Sequence, residues 1–415
     1  MARSTGSADL PLHSGHVPQW LAARMARLGR VIVEAIVHHY GRDELLRRLS
    51  HPFWFQSFGA VMGMDWHSSG MTTSVMGALK RGLAPVQHEL GIHVCGGRGR
   101  HSRRTPIELL ALGDKLGIDG EQMARTSRLV AKVDSAAVQD GFDLYLHSFV
   151  VTDDGTWTVV QQGMNVARRQ ARRYHWLSEG LQSFVEQPHS AIDGPNQGVI
   201  FNLTDRQAAE ARACQIELAR GDPERVVAAA RHLRDQDGAP HLRLPAHHDV
   251  RFSDVLLRRV RATLAAVADR APKDFTELLL VPGVGARTVF ALAMVGEVVH
   301  GAPCRFSDPA RFSLAHGGKD GHPFPVPLKV YDQTISVLRH AVAQAALGSE
   351  DRLTAIRRLD EQSRALERAV TGPLFNALVR EESARSQEYG GKSVRGSDRP
   401  PQRSCRPLPR QLKLL

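Results

Sequence analysis

The segment 142–162 reads Phe142-Asp-Leu-Tyr-Leu-His-Ser-Phe-Val-Val151, then Asp153-Asp-Gly155, then Thr156-Trp-Thr-Val-Val-Gln-Gln162. Two runs rich in β-branched and aromatic residues flank an Asp-Gly pair, which is a combination typical of a β-hairpin. The hairpin predicts a small antiparallel sheet at the centre of a mixed N-terminal domain. Because the sequence on both sides of it has helical periodicity, we expect an α+β fold.

Apolar residues at helical spacing dominate the rest of the chain. Before the hairpin they predict a helix over 19–48 that breaks at Gly41, a helix from Thr72 or Thr73 to about Arg81, and a helix that begins at Thr105-Pro106. After Asn202 the pattern is helical over 204–220, 223–234, 253–270, 286–300, 328–347 and 349–370.

These patterns divide the chain into five parts. We expect a flexible leader (1–17), an α+β domain with the catalytic or phosphate-binding residues (18–200), a helical connector (201–248), an all-α helix-hairpin-helix domain (249–387) and a disordered basic tail (388–415). The connector prediction rests on prolines and histidines clustered over 238–248, and the tail prediction on scattered Arg, Gly and Pro.

The composition narrows the class of protein. A net charge of +11 over 415 residues favours a polyanionic partner, and residues 385–415 carry eight basic but only two acidic side chains. No apolar run approaches the roughly 18 to 20 residues of a membrane span, and the polar start does not resemble a signal peptide. Four cysteines without a Cys-x-x-Cys pair favour reduced thiols. We therefore expect a cytoplasmic protein without a membrane partner.

The most specific local pattern spans 275–293, where two short helices flank Val281-Pro-Gly-Val-Gly285. This arrangement is typical of a helix-hairpin-helix element that binds DNA. Two glycines let the backbone approach a phosphate, and the amides that start the second helix hold the anion. The candidate nucleic-acid contacts are Gly283, Gly285, Arg287 and Thr288. The alternative is a helical hairpin that needs glycine only in order to turn.

Two further segments suggest phosphate contacts. The loop from Gly96 to Pro106 combines three glycines with Arg98, Arg100, Arg103 and Arg104 before a helix, which suits phosphate binding but also fits a solvated basic loop. A donor-rich turn offers His67, Ser68 and Ser69 ahead of a helix that carries Lys80. That turn either holds a phosphate or caps the helix.

Polar residues are densest around the hairpin. They loosely resemble a metal-dependent nuclease, in which acids hold a divalent ion that activates water and cations take up phosphate charge. The candidate catalytic residues are Asp134, Asp140, His147, Gln161, Gln162 and His175. Arg168, Arg172 and Arg173 are candidate nucleic-acid contacts on a helix after the hairpin. The alternative is a buried polar network next to a solvated arginine helix, and Gln161-Gln162-Gly163 replaces the Glu-x-Lys usual in such nucleases.

The faces of the first strand follow from alternation. His147 should share one face with Asp143, Tyr145 and Phe149. The cofactor expected for a nuclease is Mg²⁺ or Mn²⁺, and none is expected otherwise. The sequence does not assign ligands to a metal ion. The possible ligands His247-His248-Asp249 and the pair His316 and His322 lack a spacing diagnostic of zinc.

The Pro282-Gly-Val-Gly285 turn resembles the hairpin of the base-excision DNA glycosylase superfamily, where a catalytic Asp follows downstream. The resemblance implies such a role for Asp332 in Val330-Tyr-Asp-Gln-Thr334. Arg287 stands where bifunctional members of that superfamily carry a Schiff-base lysine, so the resemblance does not extend to a lyase.

Several longer strings resemble an uncharacterised bacterial and archaeal domain-of-unknown-function family. The resemblance covers about residues 16–375 and implies membership without an activity. The strings are Pro52-Phe-Trp-Phe-Gln56, Asp65-Trp-His-Ser-Ser-Gly70, Gly97 to Pro106, Val160-Gln-Gln-Gly-Met164, Arg173-Tyr-His-Trp176 and Phe312 to His322.

Together these patterns predict a DNA-binding protein of genome maintenance, with RNA left open as a partner. The leading expectation is a metal-dependent, structure-directed nuclease that grips the phosphate backbone through the helix-hairpin-helix. The alternatives are a base-excision glycosylase that uses Asp332 and a non-enzymatic DNA-binding adaptor. The sequence does not assign the oligomeric state.

Overall fold

A computed structural model describes residues 19–64, 70–168, 170–235 and 257–310, together with residue 343 and two short strands near the C-terminus. The chain begins with a layer of helices. They are α1 (Gln19–Tyr40), α2 (Arg42–Ser50), α3 (Pro52–Val61), α4 (Met71–Leu83) and α5 (Gln87–Leu90). The predicted break at Gly41 and the predicted helix near 72–81 are both confirmed.

A five-stranded antiparallel sheet follows, with strand order β1-β3-β4-β5-β6. Its strands are β1 (Ile92–Arg98), β3 (Asp143–Thr152), β4 (Trp157–Asn165), β5 (Gln170–Leu177) and β6 (Ala191–Asp193). The predicted hairpin is the β3–β4 pair at the centre of this sheet. Helices α6 (Arg100–Leu116) and α7 (Gly120–Lys132), a π-helical turn (Val133–Ala137) and β2 (Val138–Gln139) connect β1 to β3.

The helix predicted around the arginines after the hairpin is wrong. Residues 170–177 form β5, which lies between β4 and β6. Both faces of a central strand are buried here, so the polar and apolar alternation that identifies a half-exposed strand is missing. Arg172 and Arg173 consequently point to opposite faces of the sheet, and both are buried.

A β-bulge modifies the predicted faces of β3. The register with β4 shifts between Leu144 and Leu146, so that Tyr145 is the extra residue. His147 and Phe149 share a face as predicted, but the bulge moves Asp143 out of their alternation.

The C-terminal part of the described chain is helical, as predicted. After β7 (Phe201–Asn202) and a 3₁₀ turn (Arg206–Ala208), the helices are α8 (Ala209–Arg220), α9 (Pro223–Asp235), α10 (Leu257–Arg270), α11 (Phe275–Leu280) and α12 (Ala286–His300). Apart from residue 343, the segments 328–347 and 349–370 that were predicted as helices lie outside the described residues, as do Asp332 and the predicted leader. Within the predicted tail, β8 (Lys392–Ser393) pairs with β9 (Gly396–Ser397).

Two apolar cores cover the two faces of the sheet. One joins α1–α4 to Ile92, Val150 and Val160. The other joins α6 and α7 to the opposite sheet face and continues without interruption into α8–α12. The boundary predicted at residue 200 lies inside this second core, because β7 pairs with β2 and Phe201 packs edge-on against Phe290 of α12.

The start of α6 differs from the prediction. The helix begins at Arg100 and contains Pro106, whereas Thr105-Pro106 was expected to open it. Pro106 has no N–H for the carbonyl of Ser102, four residues earlier. The hydroxyl of Thr105 donates to that carbonyl oxygen instead, at 2.8 Å. No helix in the described ranges is both long and apolar enough to cross a membrane.

Candidate functional site

A cavity of about 620 Å³ lies where three parts of the chain meet. One wall is the segment 138–143, which leads from β2 into β3. The other wall consists of α10, through Arg259 and Thr263, and of the turn between α11 and α12. The cavity therefore brings the predicted phosphate-binding turn next to Asp140, one of the predicted catalytic residues.

The α11–α12 turn (Val281–Gly285) is anchored from the sheet side. Lys132, at the end of α7, donates from Nζ to the carbonyl oxygen of Val284. Gln139 donates from Nε2 to the carbonyl oxygen of Ala286 at 2.9 Å and to that of Ala136 at 2.9 Å. Burial lowers the pKa of Lys132. These contacts fix the turn against the body of the protein.

The two glycines of the turn differ in what the fold requires of them. Gly283 has φ +90°, a left-handed conformation that favours glycine. Gly285 has φ −150° and ψ −173°, which other residues adopt readily, and a Cβ there would meet no atom within 4 Å. Gly285 is also the N-cap of α12, so no side chain caps the first-turn amides.

Two exposed arginine side chains lie beside the turn. Arg287 and Arg259 line the cavity, are exposed, and form no ion pair within the described part of the chain. Thr288 also lines the cavity but is only 5% exposed. The opposite wall contributes the exposed carboxylate of Asp143. The cavity thus has a cationic wall and a wall with acceptor groups.

Three of the predicted catalytic residues, Asp134, Gln161 and His147, form a chain of hydrogen bonds on the sheet face that packs against α7. Gln161 donates from Nε2 to Asp134 Oδ2 at 2.5 Å, so its Oε1 accepts from Nδ1–H of His147 at 2.7 Å. The Nε2 atom of His147 is then an acceptor for the hydroxyl of Ser127 at 2.8 Å. Burial lowers the pKa of His147, which matches this neutral tautomer.

Asp134 is engaged by three side chains of the interior. Besides Gln161, it accepts from Nε1 of Trp176 at 2.9 Å and contacts Nε2 of His189 at 2.5 Å. Its side chain is fully buried. Asp134 therefore serves to complete a polar network in the interior.

Asp140 belongs to a second buried network. It accepts from Arg172 at 2.8 Å and from the hydroxyl of Tyr174 at 2.7 Å, while Arg172 also pairs with Asp308 at 2.6 Å. Burial lowers the pKa of Arg172, but Asp308 and Asp140 outweigh it and raise the pKa above its usual range. This ion triad ties β5 to the segment after α12.

Gln162, His175 and Arg173 lie on the opposite face of the sheet. Nε of Arg173 donates to Nε2 of His175 at 2.9 Å, and Nδ1 of His175 contacts the carbonyl oxygen of Leu49 at 3.0 Å. Arg173 also pairs with Asp193 at 2.6 Å. The six predicted catalytic residues are thus divided between two sides of the sheet and do not form one site.

The fit to a divalent metal is correspondingly poor. Within the described ranges no group of three or more His, Cys, Asp and Glu side chains is arranged to hold a metal ion. Asp134 and Asp140 are buried, and each accepts hydrogen bonds from side chains of the interior. The described residues therefore assign no ligands to the Mg²⁺ or Mn²⁺ expected of a nuclease, and that cofactor stays a prediction.

The predicted nucleic-acid contacts on β5 need correction. The guanidinium groups of Arg172 and Arg173 are buried and paired with carboxylates, so neither is accessible to a phosphate. Arg168 is exposed and donates to the side chain of Gln197. Lys80 is also engaged, since it donates to the carbonyl oxygen of Gly96 at 2.8 Å and pairs with Glu108 at 2.6 Å. His67, Ser68 and Ser69 lie outside the described residues.

The arginines before and within α6 are exposed, as a phosphate-binding role requires. They are Arg98, Arg100, Arg103 and Arg104, and none forms an ion pair within the described ranges. Gly99, between β1 and α6, donates its N–H to the carbonyl oxygen of Tyr145 at 2.8 Å. Tyr145 is two residues from Asp143 at the cavity, a separation of about 7 Å along a strand. These arginines therefore begin close to the cavity.

Several residues that line the cavity were not singled out from the sequence, among them two on α10. Arg259 and Thr263 lie on α10, whose arginines follow the pattern of an ordinary solvated helix face. No local signal distinguishes Arg259 from its neighbours Arg258 and Arg261. Only the packing of α10 beside the α11–α12 turn identifies it.

Comparison with known proteins assigns the chain to a family. Residues 6–326 match the family described as "Protein of unknown function (DUF763)". Searches among curated proteins and among solved structures found no match. Since the match spans well over half of the chain, the protein belongs to the DUF763 family, as its longer sequence strings had indicated.

Proposed function

We propose that this protein binds DNA through the phosphate backbone, with the α11–α12 turn as the principal contact. The observation that carries the proposal is Gly285. Neither its backbone angles nor the packing around it requires a residue without a side chain. A glycine at this position leaves room for a group from outside the chain, and the uncapped amides of α12 suit a phosphate oxygen.

The charges beside the turn support an anionic partner. Arg259 and Arg287 are exposed at the cavity and have no carboxylate partner in the described ranges. Guanidinium groups form strong, bidentate hydrogen bonds with phosphate. Because such contacts are made to the backbone, the binding should be salt-sensitive and largely independent of base sequence.

The arginines of the β1–α6 segment are proposed as a second contact. They begin near the cavity and continue along the first turns of α6. A DNA backbone that leaves the α11–α12 turn would meet Arg98, Arg100 and Arg103 next. This extension adds electrostatic attraction without adding base recognition.

DNA cleavage stays a prediction, because no set of catalytic residues is identified among the residues that the structure describes. Asp134 and Asp140 are buried and hydrogen-bonded within the interior, and the glycosylase candidate Asp332 lies outside the described residues. The adaptor alternative needs only the binding surface. We therefore place DNA binding first among the predicted functions.

The test is fluorescence anisotropy with a labelled DNA duplex and its single strand. Arg287→Ala should weaken binding by about three- to tenfold, which is the loss expected for one exposed charge-assisted contact. Arg81→Ala is the matched control, because Arg81 is an exposed arginine on α4, on the opposite side of the sheet. An equal loss in both variants, or no loss with Arg287→Ala, would contradict the proposal.

The same DNA, incubated with Mg²⁺, Mn²⁺ or EDTA and run on a denaturing gel, tests cleavage separately. Cleavage that EDTA abolishes would show that the protein uses a divalent metal ion to cut DNA. Salt-sensitive binding without any product would favour the adaptor.

A further inference from the structure

The cavity beside the α11–α12 turn offers more than a phosphate contact. Its volume of about 620 Å³ lies within the range of roughly 300–1,000 Å³ that small-molecule sites occupy. A phosphate group on the protein surface needs no such space. The cavity is therefore large enough for the rest of a ligand whose phosphate lies at the turn.

The two walls of the cavity favour different chemical groups. On the helical wall, the first-turn amides of α12 with Arg259 and Arg287 attract an anion. On the other wall, the carboxylate of Asp143 repels an anion and accepts hydrogen bonds from N–H or O–H groups. A ligand that satisfies both walls carries a phosphate at one end and hydrogen-bond donors at the other.

Gln139 adds an independent indication of a ligand. Its side chain lines the cavity and is only 5% exposed, and its Nε2 donates to two carbonyl oxygens. Its Oε1 is buried and has no hydrogen-bond partner in the described part of the chain. A buried acceptor without a partner is costly, and a donor group that enters the cavity would offset that cost.

Apolar side chains line the space between the polar groups. Val138, Phe142 and Val260 contribute to the cavity and are themselves buried. Such a lining favours a flat, weakly polar ring over water. The combination of phosphate, ring and peripheral N–H or O–H groups describes a nucleotide.

We propose that the cavity takes up one unstacked nucleotide of a DNA strand, with its phosphate at the N-terminus of α12 and its base and sugar against Asp143 and Gln139. The inference rests on the proposed DNA-binding function and specifies its substrate class. Single-stranded or distorted DNA presents such a nucleotide without the cost of unpairing, which amounts to a few kcal/mol in a duplex. The protein should therefore prefer a single strand to a matched duplex.

The experiment uses the full-length protein and an oligonucleotide that contains one 2-aminopurine, whose fluorescence reports loss of stacking. Binding of the single strand should change this fluorescence, and binding of the matched duplex should change it less. Ser135→Trp fills the cavity from an exposed position and should abolish the fluorescence change. It should leave the anisotropy-measured affinity within about threefold, because the phosphate contacts remain. Ser135→Ala is the matched control and should keep both signals.

Ala262→Trp blocks the cavity from α10, at a second exposed position, and covers the case in which Ser135→Trp does not fold. An unchanged fluorescence signal in both tryptophan variants would overturn the inference. So would binding of the wild-type protein without any fluorescence change.

Competition with deoxyadenosine monophosphate distinguishes a nucleotide within a DNA strand from a free mononucleotide. Competition at the strand's own site, together with strand binding, supports the inference. Binding of the mononucleotide without any binding of the strand would keep the cavity as a nucleotide site but overturn the proposed function and the DNA inference. Strand binding that depends on Arg287, together with a 2-aminopurine fluorescence change that persists in both tryptophan variants, would overturn the inference alone.

Discussion

The sheet interior and the α11–α12 turn are both rich in polar groups, but their hydrogen bonding differs. Inside the sheet, Asp134 and Asp140 each accept hydrogen bonds from several side chains of the protein. At the turn, Arg259 and Arg287 have no carboxylate partner in the described ranges, and α12 has no capping side chain. A dense polar grouping therefore indicates a stabilised interior here, whereas unpaired groups at a cavity indicate a binding surface.

The largest effect expected from this contrast is on stability. Arg172→Met removes the shared cation from Asp140 and Asp308 and leaves two buried carboxylates. Loss of one partner of a buried ion pair typically costs about 3–5 kcal/mol. Urea denaturation followed by circular dichroism measures the free energy of unfolding.

Arg168→Met is the control for this variant. Arg168 is exposed four residues earlier, so its substitution should change the free energy of unfolding by no more than about 0.5 kcal/mol. If Arg172→Met changed the free energy of unfolding as little as this control does, the ion triad would not stabilise the fold.

The next effect is a pH dependence of the free energy of unfolding, which arises from buried histidines. Burial, together with the charge of Arg48, lowers the pKa of His51 to about 4. Burial also lowers the pKa values of His147 and His175. Below about pH 6.5 these three histidines bind more protons in the unfolded chain than in the folded chain, so their contribution to the free energy of unfolding decreases as the pH is lowered. His51 alone accounts for about 3 kcal/mol at most, lost between pH 6.5 and 4.

Denaturation curves at pH 7, 6, 5 and 4 measure this loss, and His51→Asn is the comparison. Nδ1 of His51 accepts the N–H of Trp54 and so caps α3. Asparagine keeps an acceptor at the cap without the titration, so the stability of the variant should depend less steeply on pH. Equal slopes in the two proteins would show that His51 is not held neutral by the fold.

The smallest effect is expected at the second contact. Arg100→Glu should weaken DNA binding by about two- to fivefold, because the contact is exposed and its charges are screened by salt. Anisotropy with the same labelled duplex measures it. Arg81→Glu provides the matched charge reversal on the other side of the sheet. Binding that is unchanged in Arg100→Glu would restrict the DNA contact to the α11–α12 turn.

Sequence patterns predicted the elements whose signals are local. The β3–β4 hairpin follows from alternation around an Asp-Gly turn, and α12 begins at the predicted Ala286. Strand β5 was missed because both of its faces are buried and its arginines are paired inside the protein. The early start of α6 was missed because the Thr105 hydroxyl compensates for Pro106.

The candidate site was predicted only in part, because it depends on contacts between segments that are distant in the sequence. The glycines of the turn and Arg287 form one continuous string of sequence. The residues that hold the turn in place come from distant segments: Gln139 contacts Ala286 across 147 residues, and Lys132 contacts Val284 across 152. Conversely, the pairing of Arg172 with Asp308 across 136 residues removes an arginine that looked available. Contacts at such separations leave no periodic signal in a single sequence.

The most direct test of the account is the salt dependence of DNA affinity. The dissociation constant of the full-length protein for a labelled duplex would be measured from about 50 to 200 mM salt, for the wild type and for Arg287→Ala. Binding through the phosphate backbone predicts a linear loss of log affinity with log salt, and a slope reduced by about 1 in the variant, since one phosphate contact is removed. Affinity that is independent of salt, or an identical slope in Arg287→Ala, would contradict the claim that the α11–α12 turn binds the DNA backbone.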